Sequence, residues 1–389
     1  MVEKAAVQPY TGVRIIDLTR ELGGYCGRLF ADLGATVIRI EPPGGRSDRR
    51  IAPLGAGGEG LPFRFLNVNK KSVTLDLTSP DGRGVFRDLV AASHIVLYEA
   101  DGDRDRMIAE INSVPGERVL TVFSYFGLTG PYADYVGSDL IAQALGGIAW
   151  LSGRPEREPL QLAGRQSMFV TSLYAAAATA IALWDSERSK ASHVLDISAQ
   201  ECIAHSLQNA IQVYDLEGRI SRRGGEGTRD ATESAFRCAD GYVFLAAPLA
   251  LSASWGGLVA WMKEEGFEGA ARLGEPDWNN RPLRATEPMK VEFKALFESF
   301  IKSKTKAELR AQALKRKVCL APVSRIAELQ DDPQLAFRDY FGRLADGTAF
   351  PGAPYRLSEP VWRIDRDAPA PGEDTETVLG ALASARQPH

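Results

Sequence analysis

Two segments of the sequence carry residues that could hold an anion. Gly23 and Gly24, with Gly27 behind them, follow the β-branched run VRIID and open an apolar-periodic stretch. A helix that starts there offers unpaired backbone N–H groups and the positive end of its dipole to a phosphate. The spacing is GGxxG, not GxGxxG, so it departs from the dinucleotide fingerprint, although Glu41 ends the next strand where a ribose-binding acid would stand. The simpler role for the glycines is to let the helix begin close against the strand. The second segment is NVNKKS, in which Lys70 and Lys71 either meet a phosphate or belong to a solvated loop. Cys26, Cys202, Cys238 and Cys319 are widely spaced without a CxxC, which points away from zinc and from a disulfide framework. His193 and His205 lie in one strand-and-helix unit and read as structural or exposed.

The elements that must position these residues follow from periodicity. Strands are predicted at 13–17, 36–40, 72–77, 94–98, 119–124 and 194–197. Helices are predicted at 25–33, where Gly34 takes the C′ position, and at 80–92, 139–149 and 169–184. The last is apolar nearly all round and is expected to be buried. A further helix follows the strand at 194–197 and runs through Leu207. Alternation of strand and helix implies a parallel, doubly wound α/β sheet. The Gly-rich, charged run at 222–230 (RRGGEGTRD) is the candidate linker. Beyond it come a hairpin turning at Asp240-Gly241, helices at 254–265 and 289–315, and a short run at 322–326 that could return to the first domain. The Pro- and acid-rich stretch 365–374 is expected on the surface.

The totals agree with an ordinary enzyme. The chain has 389 residues, 44% hydrophobic and 25% charged, enough for two domains. A net charge of −4 supplies neither a nucleic-acid surface nor a polybasic membrane anchor. The first ten residues have no apolar core of a signal peptide, and runs such as 173–184 fall short of a membrane span. The expected setting is a reducing cytoplasm.

The blocks GVRIIDLTRELGGYCGRLFADLGATVIRIEPPGG, NVNKKSVTLDL, YFGLTGPYADYVGSDLIAQALGGIAWLSG, CADGYVFLAA, APVSRIAELQDDPQLAFRDYF and PAPGEDTETVL run in this order along almost the whole chain. In content and order they resemble class III CoA transferases, the CaiB/BaiF group that includes formyl-CoA transferase. The resemblance implies a large Rossmann-like domain (1–221 plus 325–389), a small inserted α+β domain (222–324), and an interlocked dimer. It implies coenzyme A or acyl-CoA as substrate, with Leu22, Gly23, Gly24, Asn69, Lys70, Lys71 and Arg106 along the CoA route, and no metal. Lysine and arginine would neutralise the phosphates there.

The family mechanism needs an aspartate that attacks the thioester, forms a mixed anhydride and becomes an enzyme thioester. That position falls on Ser167 here, and no Asp or Glu lies between Glu158 and Asp185. A seryl ester is not an anhydride, and serine would need a base. The racemase branch of the family carries a His before an Asp where this chain has Ser138-Asp139. Asp139 is a catalytic candidate, and its plainer role is the N-cap of the following helix. Tyr98-Glu99 stands where many members have Asn and an aromatic, and a glutamate there would repel CoA phosphates unless it faced away.

Three readings follow. The first is the non-nucleophilic subunit of a heteromeric CoA transferase, of the succinyl-CoA-dependent type or another, paired with an Asp-bearing paralogue. The second is a self-sufficient transferase using another carboxylate, Asp139 or Glu201 being nearest. The third is a non-enzymatic homodimer that binds acyl-CoA. Met168, Phe169 and Tyr174 could line the acyl pocket, or serve only as core.

Overall fold

The computed structural model describes residues 7–154, 156–223 and 230–384. The chain divides into two compact units, residues 1–220 with 336–389, and residues 221–335.

In the first unit, β-branched runs form one six-stranded parallel sheet: β1 (Arg14–Leu18), β2 (Thr36–Glu41), β3 (Lys71–Thr74), β4 (Ile95–Glu99), β5 (Val119–Ser124) and β6 (His193–Ser198). The spatial order is β3-β2-β1-β4-β5-β6, so the order reverses between β1 and β4. In such sheets ligands lie outside the carboxyl ends of the strands at that reversal. Successive strand residues point to opposite faces and build two cores. Ile15, Val37, Ile95 and Val119 face α1 (Gly24–Asp32), α5 (Asp139–Leu145) and α7 (Gln166–Ser189). Ile16, Ile38, Val96 and Leu120 face α3 (Pro80–Ala91) and α4 (Arg104–Ser113). The remaining helices of this stretch are α2 (Leu61–Asn67), α6 (Ile148–Leu151), α8 (Ala199–Ser206) and α9 (Gln208–Glu217).

Two helix expectations need correction. The segment predicted as one helix at 139–149 breaks into α5 and α6, because Gly147 takes φ +93°, a left-handed backbone that glycine adopts freely. Helix α7 is longer than predicted and is not buried all round. Its inward stripe is mostly small or hydroxylated, with Ser167, Thr171, Ser172, Ala175, Thr179 and Ser186 buried beside Met168 and Leu183. Leu173, Ile181 and Trp184 point outward, Ile181 being 68% and Trp184 61% exposed. Small residues let α7 approach α1 and the sheet closely, and the periodicity alone hides which face is which. By length and composition α7 could cross a membrane, but one flank of it is packed within this unit.

In the second unit the predicted hairpin forms as β7 (Ser234–Cys238) and β8 (Gly241–Leu245), antiparallel. β9 (Leu320–Val323) pairs antiparallel with β8, so the run expected to return to the first domain completes the second unit's own sheet instead. Packed with it are α10 (Ser252–Glu264), α11 (Arg281–Arg284), α12 (Glu287–Ile301) and α13 (Lys306–Lys315), around Phe236, Trp261, Trp278, Phe293 and Phe297. The single helix expected at 289–315 is α12 plus α13. Thr305 starts the second with a capping box, accepting from Glu308 N while Glu308 reaches back to Thr305 N. The linker expected at 222–230 lies mostly outside the described residues.

A short helix, α14 (Pro333–Phe337), precedes the hairpin β10 (Phe341–Arg343) and β11 (Ala349–Pro351), and the described chain closes with α15 (Thr375–Ser384). The stretch before α15 lies along the free edge of β3. Asp374 Oδ2 accepts from Ser72 N at 2.9 Å, Asp374 N donates to Ser72 O at 3.0 Å, and Thr375 Oγ1 accepts from Thr74 N at 3.0 Å.

Candidate functional site

At the carboxyl ends of β1, β4 and β5 a cleft of about 740 Å3 opens, lined among others by Arg20, Leu22, Glu99, Arg104, Arg106 and Tyr125. Glu99 ends β4 and is buried at its floor. One oxygen, Oε2, accepts from Arg20 N at 2.8 Å and Leu22 N at 2.9 Å, and Arg20 Nε stands 3.6 Å from the other. The carboxylate therefore faces the β1–α1 turn and occupies backbone donors that would otherwise point at a ligand. Burial raises its carboxyl above the usual range, and Arg20 acts against that rise. Arg104 is spent on Ala133 O and Asp134, whereas Arg106 is exposed on the cleft wall.

The turn itself has no spare room. A Cβ on Gly23 would lie 2.4 Å from Thr19 Cγ2 and 2.9 Å from the Phe123 ring; one on Gly27 would lie 2.8 Å from Asp17 Oδ2. Close strand–helix approach thus requires glycine at both positions. Lys70 explains the second: fully buried, it donates to Asp17 Oδ2 at 2.7 Å and to Gly24 O at 2.9 Å, beneath the start of α1. Asn69 takes φ +63°, and its side chain binds Asp32, Arg363 O and the Asp365 and Arg366 amides. Lys71 begins β3, half-buried. Glu41 is likewise engaged: Arg39, Arg49 and Ser72 Oγ surround it, and these partners outweigh burial and hold its carboxyl at about 2.

A different environment lies where α5 meets α7. Ser167 is fully buried, its amide and hydroxyl both donating to Asp139 Oδ1, at 3.0 and 2.5 Å. Gln143 and Gln161 each donate to Asp139 Oδ2 at 2.8 Å. An ionised carboxylate accepts about four hydrogen bonds, and Asp139 receives four. It is not the N-cap of α5; Ser138 is, accepting from Ile141 N. Neither histidine reaches this junction. His193 pairs with Asp185 near the far end of α7, roughly 27 Å along the helix axis from Ser167 at 1.5 Å per residue. His205 bonds the Tyr174 hydroxyl. Glu201 is exposed in the first turn of α8.

The sequence profile of CoA-transferase family III matches residues 10–375. The chain belongs to CoA-transferase family III. It is 34% identical over 386 residues to the succinyl-CoA:(R)-benzylsuccinate CoA-transferase subunit BbsE of Thauera aromatica, spanning 96% of this chain and 94% of that one. It is 26% identical to the succinyl-CoA–L-malate CoA-transferase beta subunit of Chloroflexus aurantiacus, spanning 95% and 93%. A crystal structure of a CaiB/BaiF family protein from Brucella suis superposes with a TM-score of 0.88 at 25% identity, covering 97% of this chain and all of that one.

In this family III chain, the residues expected along the CoA route fall into two groups. Leu22 and Arg106 line the cleft, and Gly23 and Gly24 form the turn beside it. Asn69 and Lys70 are committed to internal bonds, and Lys71 is not among the cleft's lining residues. Sequence reasoning missed Arg20, Arg104 and Tyr125 as cleft residues. Arg20 and Glu99 sit immediately after β1 and at the end of β4, a signal that strand order alone would have supplied. A larger cavity, about 930 Å3, lies beside the loop after β2 with Arg46, Arg49, Arg50 and Arg64 on its wall. Two of these are already paired, Arg49 with Glu41 and Arg64 with Asp346 and Asp367.

Proposed function

We propose that this chain is the non-nucleophilic subunit of a heteromeric CoA-transferase that moves CoA between carboxylic acids, succinyl-CoA being one candidate donor. The observation that carries the reading is the closed Asp139–Ser167 pair. The position that would attack the thioester bears a buried hydroxyl, and the nearest carboxylate has all its lone pairs engaged. In this reading the partner subunit supplies the aspartate. This chain supplies the scaffold and a CoA-binding cleft with Leu22, Gly23, Gly24 and Arg106. The small unit is an insertion in the large one. The outward apolar face of α7, with Leu173, Ile181 and Trp184, is the surface a second chain would cover in an interlocked dimer. The kinship to proteins named as subunits supports the same reading.

The test is CoA transfer from succinyl-CoA to a panel of carboxylic acids, by the purified chain alone and then mixed with its Asp-bearing paralogue from the same genome. Transfer only in the mixture, with a 1:1 complex by mass, is the expected result. Transfer by the chain alone would overturn the proposal and direct attention to Glu201 and Asp139.

A further inference from the structure

The cavity of about 930 Å3 beside the loop after β2 shares no lining residue with the cleft at the ends of β1, β4 and β5. Its volume falls within the roughly 300–1,000 Å3 of small-molecule pockets. Two of its arginines tie the walls together. Arg49 pairs with Glu41 and donates from Nη1 to Pro369 O at 2.9 Å. Arg64 donates from Nε to both Asp367 oxygens at 2.9 Å and also meets Asp346. Those two lining carboxylates are thereby turned toward Arg64. The other lining carboxylate, Glu59, curls back over its own loop, where a Cβ on Gly57 would lie 2.7 Å from its Oε2.

Arg46 and Arg50 are placed differently. Arg46 is half-buried, and its side chain pairs with no carboxylate among the described residues. Its Nη1 reaches Leu18 O at a long 3.5 Å, and its buried Nε has no partner among the described residues. An unpaired buried donor on a charged group costs the fold stability. The surroundings add to that cost. Burial, and after it the charges of Arg39 and of Arg20 in the neighbouring cleft, hold the guanidinium below the usual arginine range, against Asp48 and Asp17. Asp48 and Glu41 are already bound by Arg39. Arg50 is exposed, and nothing among the described residues engages its side chain. One half-buried cation and one exposed cation thus stand on this wall without a counter-ion of their own.

We infer that this cavity binds a phosphate group, held by Arg46 and Arg50. A phosphate carries about −1.5 to −2 charge near pH 7 and three acceptor oxygens. It can answer two guanidinium groups at once and offset the repulsion from Arg20 and Arg39; a carboxylate carries less charge. Arginine also meets phosphate oxygens in a bidentate manner and gives up its hydration readily. The inference stands on this cavity alone. Only the source of the phosphate, which could be CoA or a free phosphorylated ligand, touches the transferase proposal.

Inorganic pyrophosphate is the probe, and succinate is the carboxylate control. Binding is read by titration calorimetry on the full-length protein. Pyrophosphate is expected to bind saturably, about tenfold or more tightly than succinate, and to weaken as salt rises. Arg46→Met keeps the apolar stem and should weaken pyrophosphate by about tenfold or more, the size of a charge-assisted hydrogen bond. Arg46→Lys should recover part of that loss. Arg50→Met, at an exposed position, should cost roughly threefold, and Glu59→Gln should tighten binding by a similar factor. Because Arg46→Met removes an unpaired cation, it should melt at or above the wild-type temperature without ligand. It should also lose the upward shift that pyrophosphate gives the wild type. Displacement of pyrophosphate by CoA would trace the phosphate to that molecule; failure of CoA to displace it would assign the site to a free phosphorylated ligand. Absence of saturable binding, succinate binding as tightly as pyrophosphate, or affinity unchanged in Arg46→Met overturns the inference. So does an Arg46→Met protein that melts well below wild type and whose lost binding Arg46→Lys does not recover, which would make Arg46 a structural residue.

Discussion

The α5–α7 junction and the β1–β4 cleft belong to the same unit and are built on opposite principles. At the junction a half-buried carboxylate is saturated by Ser167, Gln143 and Gln161, so nothing is left for a substrate. At the cleft a buried carboxylate, Glu99, is spent on the turn itself, and its arginine neighbours frame open space. The difference teaches that hydrogen-bond partners, not burial, decide what a carboxylate leaves open: Asp139 is the more exposed of the two, yet the open space lies beside Glu99.

Three changes would break or sharpen that contrast. The largest effect is expected at Lys70→Met. It leaves Asp17 buried without its partner beneath the cleft, so unfolding free energy measured in urea should fall by about 3–5 kcal/mol. Retained stability would mean that the ion pair does not support the turn. Ser167→Asp comes next. Two carboxylates would then share the junction and two donors to Asp139 would weaken, for a loss of roughly 2–3 kcal/mol. The variant should still transfer no CoA alone, and recovery of transfer would show the junction to be a dormant site, not a filled one.

The smallest effect is at Glu99→Gln. A carboxyl whose pKa is raised by folding favours the folded state at low pH. That advantage declines as pH rises above the unfolded value near 4.5. The amide can still accept from the Arg20 and Leu22 N–H groups without carrying the charge. The variant should therefore match or exceed the wild type by up to about 1 kcal/mol at pH 7, and lose that margin below pH 4.5. Affinity of the cleft for CoA, measured by calorimetry, should rise with the charge gone. Unchanged affinity across salt concentrations would place CoA elsewhere.

The strands were the most legible part of the sequence. The run at 119–124 is β5 to the residue, because β-branched residues bounded by polar turns admit few other readings. Caps in plain view were missed where a long apolar pattern ran through them, as at Gly147 and at Thr305 with Glu308. The burial of α7 was not legible, since Ser167, Thr171, Ser172, Ala175 and Thr179 face inward while Leu173, Ile181 and Trp184 face out. At the site, lysine and glutamate show charge in the sequence but not direction. Asn69 and its positive φ precede the turning of Lys70 into the fold, and Glu99 is drawn to the backbone of a turn 77 residues earlier. Residue type announces such groups; only tertiary contact says what they are used for.

The strip that seals β3 has a consequence for biosynthesis. Ser72 N waits for an acceptor 302 residues downstream. At roughly 5–20 residues per second, that interval lasts about 15–60 s on the ribosome. For that time the nascent sheet has an unguarded edge open to pairing with another chain. Translation speed and chaperone occupancy over this window, more than final stability, would govern how much of the product emerges unaggregated.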